Sequence, residues 1–319
     1  MLAVKFDSKK VLLGDVPAPT EGGVLVRVRA CGICGSDLTI LDSGFPIAGT
    51  PGHEIAGELE DGTPVAIEPF DPCGSCRYCV DGDHQVCTRG PQMIYGIGRD
   101  GGMAEEIRVP EASLVILPRG VDATKGFLVE PLGVAVHGVR RAQIDNTMRV
   151  LVIGGGSIGL AAVAAATETK AEVALVARHA PQIAAGRQLG AEILESGAGG
   201  DYDVVLDCAG TESATAAACE ALRPKGRLLM LASSWDKFTL PGFAVAAKEL
   251  DISIATMYGR MNGQGGSVRD VDVAARILGD REEVADALIS HRFPLSEAPK
   301  AFAAARDRKG GAIKVAIEP

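Results

Sequence analysis

Apolar and polar residues alternate from Val24 to Ala30: Val24, Val26, Val28 and Ala30 share one face, Arg27 and Arg29 the other. A period of two predicts a half-buried strand. Between Glu58 and Val65 an Asp61-Gly62 pair separates two strand-like runs and predicts a hairpin. Pro17, Pro19, Pro46, Pro51, Pro64, Pro69 and Pro72 break up the neighbouring segments, so helices should be few there. The rhythm changes after Glu130. Short apolar strands at Val150–Ile153, Glu172–Val176, Val204–Leu206, Arg227–Leu231 and Asp251–Ala255 alternate with helical stretches at Ala161–Thr169, Gln182–Leu189 and Ser213–Ala221. Such alternation predicts a parallel, doubly wound sheet. Helices are expected over Val271–Leu278, Glu282–Ile289 and Ser296–Ala305, the last with Ser296 as N-cap. The final run, Ile313–Ile317, alternates again and suits a return to the first sheet.

A length of 319 residues exceeds one typical domain and predicts two. The net charge of −9, with no cluster of Lys and Arg, argues against nucleic acid as a main partner. Residues Met1 to Lys10 mix charges with apolar residues and lack the apolar core of a secretory signal. Glycines interrupt the longest apolar stretch, Val150 to Ala166, so no membrane span is expected. These features predict a cytoplasmic protein with no membrane partner.

Four of the eight cysteines, Cys73, Cys76, Cys79 and Cys87, lie close together. In a reducing setting, thiols at such spacing predict a structural zinc held by four thiolates; a disulfide pair or free thiols is the alternative. Upstream, Cys31-Gly32-Ile33-Cys34-Gly35-Ser36-Asp37 precedes Gly52-His53-Glu54. Cys34 and His53 offer a thiolate and an imidazole, both good zinc donors, although either one alone would more often be an ordinary buried side chain. Further on, the strand ending at Ile153 runs into Gly154-Gly155-Gly156-Ser157-Ile158-Gly159, a Gly-x-Gly-x-x-Gly loop that opens a helix. That context predicts a dinucleotide site, with the pyrophosphate at the helix N-terminus.

Taken in this order along nearly the whole chain, these motifs resemble the zinc-containing medium-chain dehydrogenase/reductase family, with its alcohol, polyol, threonine and glucose dehydrogenases. The resemblance implies an α/β fold class: a GroES-like β-rich catalytic domain over residues 1–130 and 261–319, and a Rossmann domain over 131–260. It implies two zinc ions per chain and hydride transfer between an alcohol and NAD or NADP. Cys34 and His53 match catalytic zinc ligands. Ser36 matches the hydroxyl that takes the substrate proton, and Asp37 the carboxylate that orients the histidine. Thr39 stands where a relay histidine is often found. Glu54 and Glu130, the latter in a Glu130-Pro131 pair, compete for the remaining ligand position. The Glu-Pro pattern leans toward polyols, sugars or amino alcohols. Ala209 and Ser233 match strand ends beside the nicotinamide, and Lys314 a basic residue that reaches the pyrophosphate.

Cofactor choice falls to the end of the second strand, where NAD enzymes usually carry an acid. Counting back from Gly190-Ala191 puts Ala177 there. Arg178, with His179, could instead pair with a 2′-phosphate, so NADP is expected over NAD. A zinc-free quinone reductase of the same fold would lack Cys34, His53 and the cysteine lobe, and a zinc-stabilised nucleotide-binding protein without turnover would not need Ser36. The resemblance also implies a homodimer or homotetramer.

Overall fold

The structure is a computed structural model and describes residues 1–195, 200–232, 237–263 and 266–319. It divides into two compact units, one of Met1–Glu130, Gly259–Ala285 and Ile289–Pro319, the other of Pro131–Tyr258 and Asp286–Leu288.

The first unit is built on a seven-stranded sheet in the order Ile289–Pro294, Lys314–Glu318, Val24–Gly32, Glu54–Glu58, Pro64–Ile67 and Leu114–Ile116, with Glu106–Val109 pairing alongside Val24–Arg27. The predicted alternation is realised: Val26, Val28 and Ala30 are buried while Arg27 and Arg29 are exposed. The hairpin forms where Asp61-Gly62 stands, with Gly62 at φ +83° and Leu59 N–H donating to Thr63 O. The closing strand, Lys314–Glu318, lies antiparallel to Val24–Gly32, placing Ile317 opposite Cys31. Two elements escape the pattern. A hairpin of Leu2–Asp7 and Lys10–Asp15 turns through Ser8 and Lys9, both at positive φ, without the usual Asn-Gly signal. The last helix is Ala298–Arg306 with Glu297 as N-cap, not Ser296. Leu295–Glu297 forms a separate 3-10 turn, and Pro299, which has no N–H to give, suits the first turn that follows.

The second unit carries a six-stranded parallel sheet in the order Glu192–Leu194, Glu172–Val176, Arg149–Ile153, Tyr202–Asp207, Leu222–Met230 and Asp251–Ile254. Helices Ser157–Glu168, Ala180–Gln188 and Glu212–Ala221 connect its strands. The helix Ser157–Glu168 is buried from Gly159 to Ala166, and small side chains there let it lie close on the sheet. No described helix is long and apolar enough to cross a membrane.

The core of the first unit draws the late helix and the N-terminal hairpin together through Phe302, which is buried and stands edge-on to Phe6 with ring centroids 5.5 Å apart. Phe302→Ala is expected to lower the unfolding free energy by about 3–5 kcal/mol. Denaturant titration would measure it, and a change under about 1 kcal/mol would mean that this contact does not seal the core.

Candidate active site

The catalytic candidates come together within the first unit. The short helix Gly35–Ser43 follows directly on the strand Val24–Gly32, and Cys34 is its N-cap. Asp37, in the helix's first turn, accepts a 2.8 Å hydrogen bond from Cys34 N–H. Local sequence therefore holds the thiol and the carboxylate in one frame. His53 sits just before the strand Glu54–Glu58, next to Val24–Gly32 in the sheet. Its Nδ1 lies 3.5 Å from Asp37 Oδ1 and its Nε2 3.4 Å from Ser36 Oγ. Thr39 is turned away from this chemistry, its hydroxyl donating to Gly35 O of its own helix.

Cys34, His53 and Glu54 each present a donor atom, and all three lie within 4.8 Å of one another. Glu130, at the start of the helix Val129–Arg141, is not part of that group, although it is buried and feels His53, Glu54 and Lys314. Glu54 is buried, and its Oε2 has no hydrogen-bond partner among the described residues. A carboxylate oxygen out of water and without a donor is costly unless a cation meets it. Gly32 leaves it room, since a Cβ there would stand 2.0 Å from Glu54 Oε2. The donor set, one thiolate, one imidazole and one carboxylate with an adjacent hydroxyl, suits catalytic zinc with an open position.

Lys314, matched from the sequence to a basic residue that reaches the pyrophosphate, meets Glu54 in the first unit. It is fully buried, with Nζ paired to Glu54 Oε1 and donating to Ile33 O at 3.3 Å. The closing strand thus brings its ammonium among the buried donors of the first unit. Burial works against its charge, but Glu54, Cys34 and Glu130 outweigh it and hold its pKa above the ordinary value. His53 behaves similarly: burial opposes the protonated ring, yet Asp37 and Cys34 hold its pKa well above the ordinary value. Burial pushes the Glu130 carboxyl up to about 7, against the pull of His53.

The four lobe cysteines also converge. Cys76 Sγ lies 3.5 Å from Cys79 Sγ and 4.0 Å from Cys87 Sγ, and Cys73 Sγ lies 3.8 Å from Cys79 Sγ. Four sulfurs about 2.3 Å from one zinc stand about 3.8 Å apart in a tetrahedron. All four are free thiols. Backbone N–H groups of Ser75 and Cys76 lower the Cys73 thiol to about 5, while burial and neighbouring sulfurs push Cys79 up to about 12. Thiols this close resist ionising together unless a cation joins them.

In the second unit, Gly154 takes φ +109° at the end of Arg149–Ile153, and Gly156 caps the helix that begins at Ser157-Ile158. A Cβ on Gly159 would stand 1.7 Å from Gly154 O, so only glycine lets helix and turn close. Ala177 follows the strand Glu172–Val176 with no carboxylate, and the exposed Arg178 forms no ion pair among the described residues. His179 is the N-cap of Ala180–Gln188. Ala209 packs at the Gly154 turn, whereas Ser233 lies outside the described residues.

The model of the alcohol dehydrogenase GroES-like domain matches residues 20–119, and that of the glucose dehydrogenase C-terminus matches residues 123–318. A sorbitol dehydrogenase of Halalkalibacterium halodurans is 27% identical, over 96% of this chain and 94% of its own. A probable D-xylulose reductase A of Arthroderma otae is 30% identical, over 95% and 93%. Among solved structures, a putative zinc-binding dehydrogenase from Sinorhizobium meliloti bound to NADP superposes with a TM-score of 0.85 at 27% identity, covering 100% of this chain and 99% of its own. The chain belongs to the zinc-type medium-chain dehydrogenase/reductase family. Within it, the protein is an NAD(P)-dependent oxidoreductase acting on CH–OH groups.

Removing one partner of a buried pair leaves the other charge uncompensated. Lys314→Met should therefore cost the metal-free protein about 3–5 kcal/mol of unfolding free energy in denaturant titration; a neutral result would mean Glu54 is not held by this pair. Ligands must shed protons before they bind metal. With the His53 pKa held well above its ordinary value, metal affinity at the catalytic donors should climb as pH rises and the ring sheds its proton. Cobalt titrations at about pH 6 and pH 8 would read it, and equal affinities would contradict the assignment.

Proposed function

We propose that this enzyme transfers hydride between a polyol, sugar or amino alcohol and NADP, with Cys34, His53 and Glu54 holding the catalytic zinc. The observation that carries this reading is the convergence of those three donors around a Glu54 oxygen that has no other partner among the described residues. A zinc ion held there supplies a Lewis acid that makes an alcohol more acidic. Ser36, whose hydroxyl lies 3.4 Å from His53 Nε2, would relay the substrate proton to water, giving up its own as it takes that one. Asp37 fixes the imidazole by facing Nδ1, and Lys314 fixes Glu54 from below. Glu130 sits close enough to modulate the charge at the site without joining the donor group. Cys73, Cys76, Cys79 and Cys87 hold a second zinc whose closed shell is structural.

The substrate class is supported by the Glu130-Pro131 pair and by relatives named for sorbitol and D-xylulose. The cofactor choice is supported by Ala177 and by Arg178, which forms no ion pair among the described residues, with His179 alongside. The dinucleotide lies on Gly154, Gly156, Ser157, Ile158 and Gly159, with Ala209 on its nicotinamide side. Eight free thiols suit a reducing cytoplasm. Exposed Phe243, and Ile254 on the edge strand Asp251–Ile254, suit a homodimer or homotetramer.

A screen of polyols, sugars and amino alcohols with NAD and NADP, alongside metal analysis, tests the reading. Two zinc ions per chain and polyol turnover with NADP are expected; turnover confined to simple alcohols with NAD would overturn it. Arg178→Ala should lower kcat/KM for NADP about tenfold or more and leave NAD nearly unchanged.

A further inference from the structure

We propose that Asp207 is a positioning residue for the dinucleotide, its carboxylate holding the Cys208–Gly210 turn as the floor of the nicotinamide half of the site. The proposal rests on the dinucleotide reading of the Gly154–Gly159 loop. Strand order in the parallel sheet reverses between Arg149–Ile153 and Tyr202–Asp207. Ligands of open α/β sheets settle in the crevice at that reversal, beyond the strands' carboxyl ends. Asp207 ends the strand on the far side of this crevice.

Its side chain is fully buried and fully used. Oδ1 accepts from Ala209 N–H at 3.0 Å and Gly210 N–H at 2.9 Å, and Oδ2 accepts from the Thr215 hydroxyl at 2.8 Å. Its backbone oxygen accepts from Leu231 and Ala232 N–H at 2.9 and 3.1 Å. Cys208 N–H donates across to Ile153 O at 2.9 Å. Asp207 thus ties the turn to the strand end that follows it and to the helix Glu212–Ala221, while Cys208 ties it to Arg149–Ile153.

The turn it holds meets the glycine loop. A Cβ on Gly154 would stand 3.0 Å from Ala209 N and 3.1 Å from Ala209 Cβ. A Cβ on Gly210 would likewise stand 2.7 Å from Ala232 Cβ. With Asp207 removed, two N–H groups and a hydroxyl lose their common acceptor, and Ala209 is free to leave the crevice wall. The adenine half, which lies on Arg149–Ile153 and Glu172–Val176, keeps its own support.

That asymmetry makes the test. NADPH and NADH are titrated into wild type, Asp207→Ala and Asp207→Asn, with adenosine 2′,5′-bisphosphate and 5′-AMP as ligands for the adenine half alone. Asp207→Ala should weaken NADPH about tenfold while adenosine 2′,5′-bisphosphate stays within about twofold. Asp207→Asn, whose amide oxygen still accepts both N–H groups, should recover NADPH binding to within about threefold. If wild type takes NADH instead, NADH and 5′-AMP give the same comparison. Unchanged dinucleotide affinity in Asp207→Ala, or equal weakening of dinucleotide and half-ligand, overturns the proposal. Should Asp207→Ala not fold, Thr215→Val is expected to weaken NADPH about threefold with the half-ligand unaffected, and no change overturns it. A wild type that binds neither dinucleotide would instead bring down the reading of the glycine loop, and this proposal with it.

Discussion

Glu54 shares the buried interior of the first unit with Asp37 and Glu130, and three carboxyl groups withdrawn from water need compensation. Much of the surrounding architecture supplies it. Lys314 reaches Glu54 only because the last strand returns antiparallel to Val24–Gly32. His53 answers Asp37, which in turn is tied to the backbone of Cys34. Glu54 Oε2 is left facing the donor cluster, in the space that Gly32 clears. The chain's two ends are therefore joined by a charge requirement as well as by apolar packing, and a cation completes what the protein's own groups leave open.

The two metal candidates show opposite uses of the same chemistry. The lobe thiols surround a single point and leave no vacancy, which suits a brace for a region of 3-10 turns and one short helix. The Cys34 site gathers three donors from two neighbouring elements and sets a hydroxyl beside them. Catalysis needs that incompleteness. The parallel sheet leaves room by a different means: Gly154 takes φ +109° and Gly156 has open space where a side chain would stand.

Features carried by close neighbours in the chain were legible before the structure. The alternation at Val24–Ala30, the Asp61-Gly62 turn, the strand–helix rhythm beyond Glu130 and the spacing of Cys73 to Cys87 all express local geometry, and each reappears in the fold. The N-terminal hairpin was not legible, because Ser8 and Lys9 take positive φ without glycine and nothing in their type announces it. The start of the last helix moved past Ser296 because a 3-10 turn and Pro299 claim that corner.

Sequence by itself determined the donors: two thiolate sets, a histidine, two competing glutamates and a glycine loop, with the fold class and family they imply. Tertiary structure decided how the competing charges are arranged. It put Glu54 with Cys34 and His53 and left Glu130 at the margin, because strand pairing sets Glu54 opposite Gly32. It also set Lys314 against Glu54 as a buried counter-ion. A residue's type states which charge it carries, but which opposite charge it meets depends on strands separated by hundreds of residues in the chain, and only packing brings those together.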